Sequence, residues 1–173
     1  MKISIITVTY NSAATLRDTM ESVLAQTYTD IEYVVVDGLS KDNTMDIVRE
    51  YEPRFQGRMK YISEKDHGLY EAMNKGIRMA TGEIVGIINS DDFYHRNDII
   101  QLVADAMAVS EVQAVYGDVR FVNPENLDKT VRYYSSKIFR PSLFRFGFMP
   151  AHPTFFTYRK YFEQYGYYRL DYK

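Results

Sequence analysis

The 173-residue chain contains no cysteine, which excludes disulfides and thiolate metal sites and permits a reducing compartment. No uninterrupted apolar stretch approaches the roughly 20 residues needed to span a bilayer. Residues Met1 to Asn11 alternate polar and apolar side chains and lack the apolar centre and small-residue cleavage site of a signal peptide. They read as a first strand, and the cytosol is the simplest location. Glycine is scarce, at 9 residues, and none lies in the turn after that strand, Thr9-Tyr10-Asn11-Ser12. A dinucleotide-binding fold places Gly-x-Gly-x-x-Gly there to hold a pyrophosphate on a helix N-terminus, and a P-loop is absent too. A diphosphate bound by this chain would have to be neutralised by a cation and by side chains.

What is present is an ordinary globular composition, 46% hydrophobic and 25% charged, long enough for a core in one domain. The charge is unevenly spread. Residues 1–128 carry 12 Lys and Arg against 21 Asp and Glu, whereas residues 129–173 carry 9 against 2. The last stretch also holds 15 of the 26 aromatic residues, with Phe139, Phe144, Phe146 and Phe148 interleaved with Arg140 and Arg145. Such a pattern occurs at membrane interfaces, sugar platforms and nucleic-acid grooves. It also occurs as plain core and rim, the expectation for most of these rings. The acidic first 128 residues would repel a phosphate backbone, so no nucleic-acid partner is expected.

Along the chain, Lys2 to Val8, Ile31 to Asp37, Met59 to Ser63 and Glu83 to Ile88 are apolar or β-branched runs bounded by turn residues, which predicts four strands. Helices fit between them. Leu16, Met20, Val23 and Leu24 share a helical face behind the capping candidates Ser12 and Thr15. Met45, Val48 and Tyr51 share one after Asp42, and Leu69, Met73, Ile77 and Ala80 share one before Gly82. Strand-helix alternation implies right-handed crossovers and a parallel sheet, whose ligands bind beyond the carboxyl ends of the strands.

All four of those ends are polar: Thr7-Val-Thr-Tyr-Asn11, Asp37-Gly-Leu-Ser-Lys-Asp42, Glu64-Lys-Asp-His-Gly68 and Asn89-Ser-Asp-Asp92. One such run is an ordinary turn or helix cap; four on one rim supply a binding site. Asp37 and Asp66 offer acceptors for a base amine or ribose hydroxyls, Tyr10 offers a ring for stacking, and Asp92 offers a seat for a hard divalent cation that keeps positions for substrate phosphate. Because side chains alternate along a strand, only one of Asp91 and Asp92 is expected to face a given ligand. The metal is assigned to Asp92 and a sugar or ribose contact to Asp91. Lys75 and His152 are further candidates for the phosphates, and His152 is with Asp92 a catalytic candidate, near the leaving group or metal. Lys75 also fits a helix end stabilised by the macrodipole, and His152 also fits a packing role between Pro150 and Pro153. His67 and His95 read as structural.

Thr7-Val-Thr-Tyr-Asn-Ser12, Val34-Val-Val-Asp-Gly38 with Asp42-Asn-Thr44, Asp66-His-Gly-Leu-Tyr-Glu-Ala-Met-Asn-Lys-Gly76, Ala80-Thr-Gly-Glu83 and Asn89-Ser-Asp-Asp92 follow in this order. With them the chain, from residue 2 to about residue 158, resembles the bacterial family 2 inverting glycosyltransferases of the GT-A fold. The resemblance implies an α/β fold with a Rossmann-like, mostly parallel central sheet flanked by helices, and a smaller mixed or antiparallel acceptor-side part. It divides a single domain into a nucleotide-sugar-binding half, 1–95, and the incomplete start of an acceptor-side half, 96–173. It implies that Thr9 and Asn11 line a uracil pocket, that Tyr10 packs on the base, and that Asp37 and Asp66 contact the nucleoside. Asn74 and Lys75 are placed beside the donor, Asp91 contacts it, and Asp92 holds Mg²⁺ or Mn²⁺ on its diphosphate.

The implied reaction moves a sugar from a nucleotide-diphosphate sugar, expected to be UDP-linked, to a hydroxyl of a saccharide or lipid-linked saccharide in surface polysaccharide synthesis. Peripheral contact at the inner face of the cell membrane, through Ile138 to Met149, is part of that expectation; oligomeric state stays open. The family places its catalytic base in an acidic motif downstream of the segment resembling Ala151-His-Pro-Thr-Phe-Phe156. The chain stops at Leu170-Asp-Tyr-Lys173, so it is expected to be truncated, to bind donor and to turn over poorly, unless Asp171 is the base. Two alternatives stay open: a catalytically incomplete sugar-nucleotide-binding module, and a nucleotidyltransferase, which would be expected to carry a glycine-rich, basic loop after its first strand.

Overall fold

The computed structural model describes residues 1–171; Tyr172 and Lys173, the end of the run on which the expected truncation rests, lie outside the described residues. Four strands, β1 (Ile3–Thr9), β2 (Ile31–Asp37), β3 (Met59–Ser63) and β4 (Ile84–Ile87), form where the apolar runs predict them. The helices α1 (Leu16–Leu24), α2 (Thr44–Tyr51) and α3 (Leu69–Met79) connect them, and α4 (Ile99–Met107) follows β4. The rest comprises β5 (Ala114–Val115), a hairpin of β6 (Val119–Asn123) and β7 (Asn126–Tyr134), three 3-10 turns between Ser136 and Thr154, β8 (Phe156–Tyr158) and α5 (Arg159–Tyr165).

The main sheet has the order β3-β2-β1-β4-β8-β5. β3, β2, β1 and β4 are parallel, with Thr9 level with Asp37 and Asp37 level with Ser63; β8 then runs antiparallel to β4. β1 and β2 are buried at every position, because helices cover both faces. On one face Ile3, Ile5, Tyr33, Val35, Ile84 and Ile88 pack with Leu16, Met20, Phe55, Ile100 and Phe156. On the other, Ile6, Val8, Val34, Val36, Val85 and Ile87 pack with Met73 and Ile77. Each fully buried aliphatic side chain contributes about 1.5–3 kcal/mol relative to exposure, so the four parallel strands form the rigid part.

The chain winds outward from β1 to β2 to β3 and returns to place β4 on the other side of β1. That reversal creates a crevice between the carboxyl ends of β1 and β4, the switch point at which α/β sheets bind ligands. The helices start without the side-chain caps expected of Ser12 and Thr15. The Ser12 carbonyl accepts from the N–H groups of Thr15 and Leu16 at 3.1 and 3.0 Å, and no side chain caps α1. Ser12 is thereby released to bond elsewhere.

Candidate active site

The turn after β1 is wired to its neighbours through polar side chains. Asn11 adopts a left-handed φ of 51°, its N–H donates to Ser40 Oγ at 2.8 Å, and its Oδ1 accepts from the Lys41 N–H at 2.8 Å. The Ser12 N–H donates to Thr44 Oγ1, and Ser12 Oγ lies 2.8 Å from Ser90 Oγ across the crevice. Asp42 holds the Thr44 N–H at 3.0 Å and the Ala13 N–H at 3.1 Å. Three strand ends are thus tied together before any ligand arrives, the preorganisation that a binding site requires.

Tyr10, Gly38 and Asp66 meet at this rim. Tyr10 is 59% exposed, and a side chain at Gly38 would lie 3.1 Å from Asp66 Oδ2 and 3.4 Å from the Tyr10 ring. Glycine keeps that wall thin between an exposed ring and a carboxylate. Thr9 lies beneath, 5% exposed, with its hydroxyl buried and unpartnered. Such a group costs about 1–3 kcal/mol while unsatisfied, which marks the floor of the crevice as suited to a polar ligand. Asp37 is placed differently from an open base-reader. It is fully buried, and its carboxylate accepts from Ser63 Oγ at 2.6 Å, from the Ser40 N–H at 3.0 Å and from Ser40 Oγ. It fastens the β2 and β3 ends.

At the end of β4 the strand stops at Ile87, and residues 89–92 form a turn closed by the Asp92 N–H donating to the Asn89 carbonyl at 3.1 Å. Strand alternation therefore does not separate the two aspartates. Asp91, exposed, and Asp92, half-buried, line the same open cleft of about 420 Å³. Asn89 organises it: its Nδ2 donates to Asp92 Oδ2 at 2.9 Å, and its Oδ1 lies 3.2 Å from His152 Nε2. Burial, reinforced by the Asp91 charge, raises the Asp92 carboxyl above its ordinary range, against the bond from Asn89. Loss of water around the imidazole lowers His152, against the pull of Asp92, so the ring is neutral at pH 7.

A half-buried carboxylate held above its ordinary pKa is relieved by a cation, and a neutral imidazole is a metal ligand. The donor set fits a hard divalent ion whose shell is completed by phosphate and water. Among the described residues no three His, Asp or Glu are grouped to hold a metal alone.

The rest of the cleft lining is mostly apolar: Val119 and Phe121 of β6, Tyr134 of β7, and Ala151 and Pro153 on either side of His152. His152 arrives because β8 runs antiparallel to β4, which sets the residues before β8 at the carboxyl end of β4. The Thr154 hydroxyl fixes this turn on the Gly117 and Ala151 carbonyls at 3.1 and 2.8 Å. Sequence reasoning gave no role to Asn89, nor to the hairpin residues; Asn89 was visible inside the Asn-Ser-Asp-Asp run, whereas nothing local marks Phe121 or Tyr134.

The other predicted residues lie apart from the cleft. Lys75 pairs with Glu64 at 3.0 Å and donates to the Lys65 carbonyl at 2.9 Å, holding the loop that carries Asp66. Asn74 is 2% exposed and bonds the backbone of Tyr168. Most of the rings of residues 129–171 are the core and rim expected of them, with Phe156 buried and eight others half-buried, whereas Tyr133, Phe144, Phe146, Phe148 and Tyr165 are 50–76% exposed. Phe144 and Phe146 lie in the 3-10 turn Pro141–Phe146, where Phe144 meets the half-buried Phe139 edge-on at 5.1 Å. No described helix is long and apolar enough to cross a membrane.

Comparison with known proteins agrees with the geometry. An uncharacterized glycosyltransferase of Nostoc sp. is 34% identical over 79% of the chain and 42% of its own length. A PGL/p-HBAD biosynthesis glycosyltransferase of Mycobacterium bovis is 38% identical over 67% of the chain and 46% of its own length. The chain thus spans less than half the length of these relatives. Among solved structures, the mannosyltransferase PcManGT from Pyrobaculum calidifontis, in complex with GDP-Man and Mn²⁺, superimposes with a TM-score of 0.76 at 24% identity, over 98% of the chain and 48% of its own. TarS 1–349 of S. aureus, in complex with UDP-GlcNAc, does so with a TM-score of 0.74 at 22% identity, over 95% and 47%. The architecture is that of the GT-A fold. The family model described as glycosyl transferase family 2 matches residues 4–166, and the chain belongs to that family.

Proposed function

We propose that the chain is the donor-binding part of a metal-dependent inverting glycosyltransferase that moves a sugar from a UDP-sugar to an acceptor hydroxyl. The observation that carries the reading is the Asp92–Asn89–His152 arrangement at the switch point, in a cleft whose remaining lining is mostly apolar. The nucleoside lies over Thr9 and Asn11 with its base on Tyr10, and Asp66 accepts from it. Asp92 would hold Mg²⁺ or Mn²⁺, with His152 within reach of the same diphosphate. Bound there, the ion would supply Lewis-acid stabilisation of the leaving diphosphate. Asn89 keeps Asp92 oriented, and Asp91 meets the sugar at the mouth of the cleft. The acceptor enters along Phe121 and Tyr134, and its hydroxyl displaces the nucleoside diphosphate at the anomeric carbon with inversion.

The acceptor's proton needs a base. Asp171 is a weak one: its carboxyl is held below the ordinary range by Arg169, with which it pairs. This favours, as a second reading for these residues taken alone, a sugar-nucleotide-binding module whose base lies elsewhere. The acceptor is a lipid-linked or membrane-proximal saccharide of surface glycan synthesis, met at the inner face of the cell membrane. The basic, exposed Ile138 to Met149 segment supports this.

Calorimetric titration of UDP tests the reading with Mn²⁺, with EDTA, and with Asp92→Ala in Mn²⁺. The expected result is metal-dependent heat that falls by at least about 100-fold in affinity in the variant, as for loss of a metal ligand. No heat with UDP, followed by none with GDP or dTDP, would overturn it.

A further inference from the structure

Asn74 belongs to a run that resemblance places beside the donor, yet its side chain is committed elsewhere. Its Nδ2 donates to the Tyr168 carbonyl at 2.8 Å, and the Tyr168 N–H donates to its Oδ1 at 2.9 Å. At 2% exposure the amide has no open face for a nucleotide. A buried two-bond clamp to the backbone of a residue 94 positions away is a device for placing that segment.

The surrounding contacts give the segment a direction. Helix α3 descends from the binding rim, where Gly68 follows Asp66, to the opposite end of the sheet. Helix α5 begins at that opposite end, with the Arg159 N–H donating to the Glu83 carbonyl at 2.8 Å. The chain then turns back. The Tyr167 ring lies 4.4 Å from the Arg78 guanidinium in the last turn of α3, the Tyr168 backbone is held by Asn74 one turn earlier, and the Tyr168 ring stacks on Tyr70 in the first turn at 5.6 Å between centroids. Phe162 closes on Tyr168 at 5.9 Å from behind. From Arg78 to Tyr70 is about 12 Å of helix rise, so the segment climbs α3 toward the rim. Asp171, three residues further, has about 10 Å of extended reach, enough to arrive beside Asp66 and Gly68.

We propose that Asn74 is a positioning residue that steers the chain leaving α5 back to the donor rim, so that residues 169–171 border the bound nucleotide. This rests on the donor reading above and assigns to Asn74 a role in assembling the acceptor-side edge of the site. Nucleotide bound over Asp66 then orders residues 167–171, and without the clamp that coupling is lost while the nucleotide pocket stays intact.

Hydrogen exchange of residues 167–171 tests this in the wild type, Asn74→Asp and Tyr70→Leu, with and without UDP and Mn²⁺, or whichever of GDP and dTDP binds. Asp at 74 still accepts from the Tyr168 N–H but opposes its carbonyl. The expected result is that nucleotide slows exchange of the segment about fivefold or more in the wild type, and that Asn74→Asp speeds it about tenfold without nucleotide. Asn74→Asp also abolishes the nucleotide effect, with affinity for nucleotide unchanged within about twofold. Nucleotide binding that leaves the wild-type segment unaffected would make the clamp a packing feature only and sink the proposal. So would a tenfold or greater loss of affinity in Asn74→Asp with segment exchange unchanged, which would return Asn74 to the donor. If Asn74→Asp fails to fold, Tyr70→Leu decides: it loosens only the rim end of the clamp and is expected to halve the nucleotide effect or more, and an undiminished effect counts against the proposal. Heat with a nucleotide but no ordering defeats this inference alone; no heat with any of the three defeats the donor reading and this with it.

Discussion

Two regions of the molecule are built to opposite specifications. In the first, β1 and β2 are buried at every position and charged groups are tied into fixed partners. In the second, β7 is exposed from Asn126 to Tyr133, and Phe146 and Met149 are 68% and 62% exposed. The first region holds the groups that must not move if a diphosphate is to be gripped. The second leaves rings and arginines exposed among the described residues. They meet where β8, which follows the soft region in sequence, inserts beside β4 of the rigid one. That seam is what carries His152 to Asn89 and Asp92.

The sharpest way to break the contrast is to open the seam. Gly86 faces Phe156 across the β4–β8 pairing, and a Cβ there would lie 2.2 Å from the Phe156 ring. Phe156 is 2% exposed in the core, so its ring has nowhere to retreat. Gly86→Ala is expected to cost about 3 kcal/mol in urea denaturation and to loosen the His152 turn, visible as faster proteolysis at residues 150–155. Full stability in that variant would mean that β8 is not anchored as described.

A second break lies at the opposite end of the rigid region. Glu32 is buried, yet its carboxyl is held down at about 2: burial pushes it up, and bonds from Lys60 at 2.8 Å, Ser4 at 2.5 Å and Thr81 overcome that push. A carboxylate depressed on folding gives stability that is present above its unfolded value and lost as pH falls through the folded one. Glu32→Gln is expected to cost about 2 kcal/mol at pH 7, less than for a fully buried pair because Lys60 reaches water. The difference from wild type should shrink between about pH 4.5 and 2. A gap that persists at pH 2 would show that packing, and not charge, sets the effect.

Asp92 has the opposite sign. Its carboxyl is raised on folding, so it weakens the fold increasingly as pH rises through its folded pKa. Asp92→Asn, without metal, is expected to raise the melting midpoint at pH 7 by under about 1 kcal/mol equivalent, and the advantage should vanish in acid. On the proposed function the same variant is expected to lose metal-dependent nucleotide binding, read by the same calorimetric titration. A site group that stabilises when neutralised is doing something other than holding the chain together.

The rigid region was legible because its signals are local. The runs at Lys2, Ile31, Met59 and Glu83 gave β1 to β4 within one residue at each end, and the polar runs after them mark where the strand ends lie, with Tyr10 and Asp66 at one rim and Asp91 and Asp92 in one cleft. What was not legible depends on distant pairing. That Asn74 clamps Tyr168 and that Asp37 is satisfied by Ser63 are facts of long-range register, which a motif does not encode; that Ser40 and Glu64 take up Asp37 and Lys75 is local, but a motif does not say which partner a side chain chooses. The placement of Asp91 beside Asp92 was not legible because the alternation argument was carried beyond the predicted strand end at Ile88 into the turn that follows β4. Core and rim holds for most rings of the last stretch, and Phe144, Phe146 and Phe148 are the exposed minority that composition does not single out.

The soft region supplies the smallest effect on stability and the clearest separation between the two. Residues 129–162 contain seven Lys and Arg and no Asp or Glu, and Phe144 and Phe146 stand out beside Arg145. Apolar side chains flanked by cations suit an anionic bilayer surface, where ring insertion and headgroup attraction add. Phe144→Ser with Phe146→Ser removes exposed rings that hold nothing in the core, so stability should stay within about 0.5 kcal/mol of wild type. Co-sedimentation with vesicles rich in anionic lipid should fall about tenfold, and neutral vesicles should bind neither protein. Unchanged co-sedimentation would leave the rings to an acceptor or to another part of the polypeptide. A loss of stability beyond about 1 kcal/mol would mean that the second region is packed as the first is, and the division between a rigid donor half and a soft partner-facing half would fail.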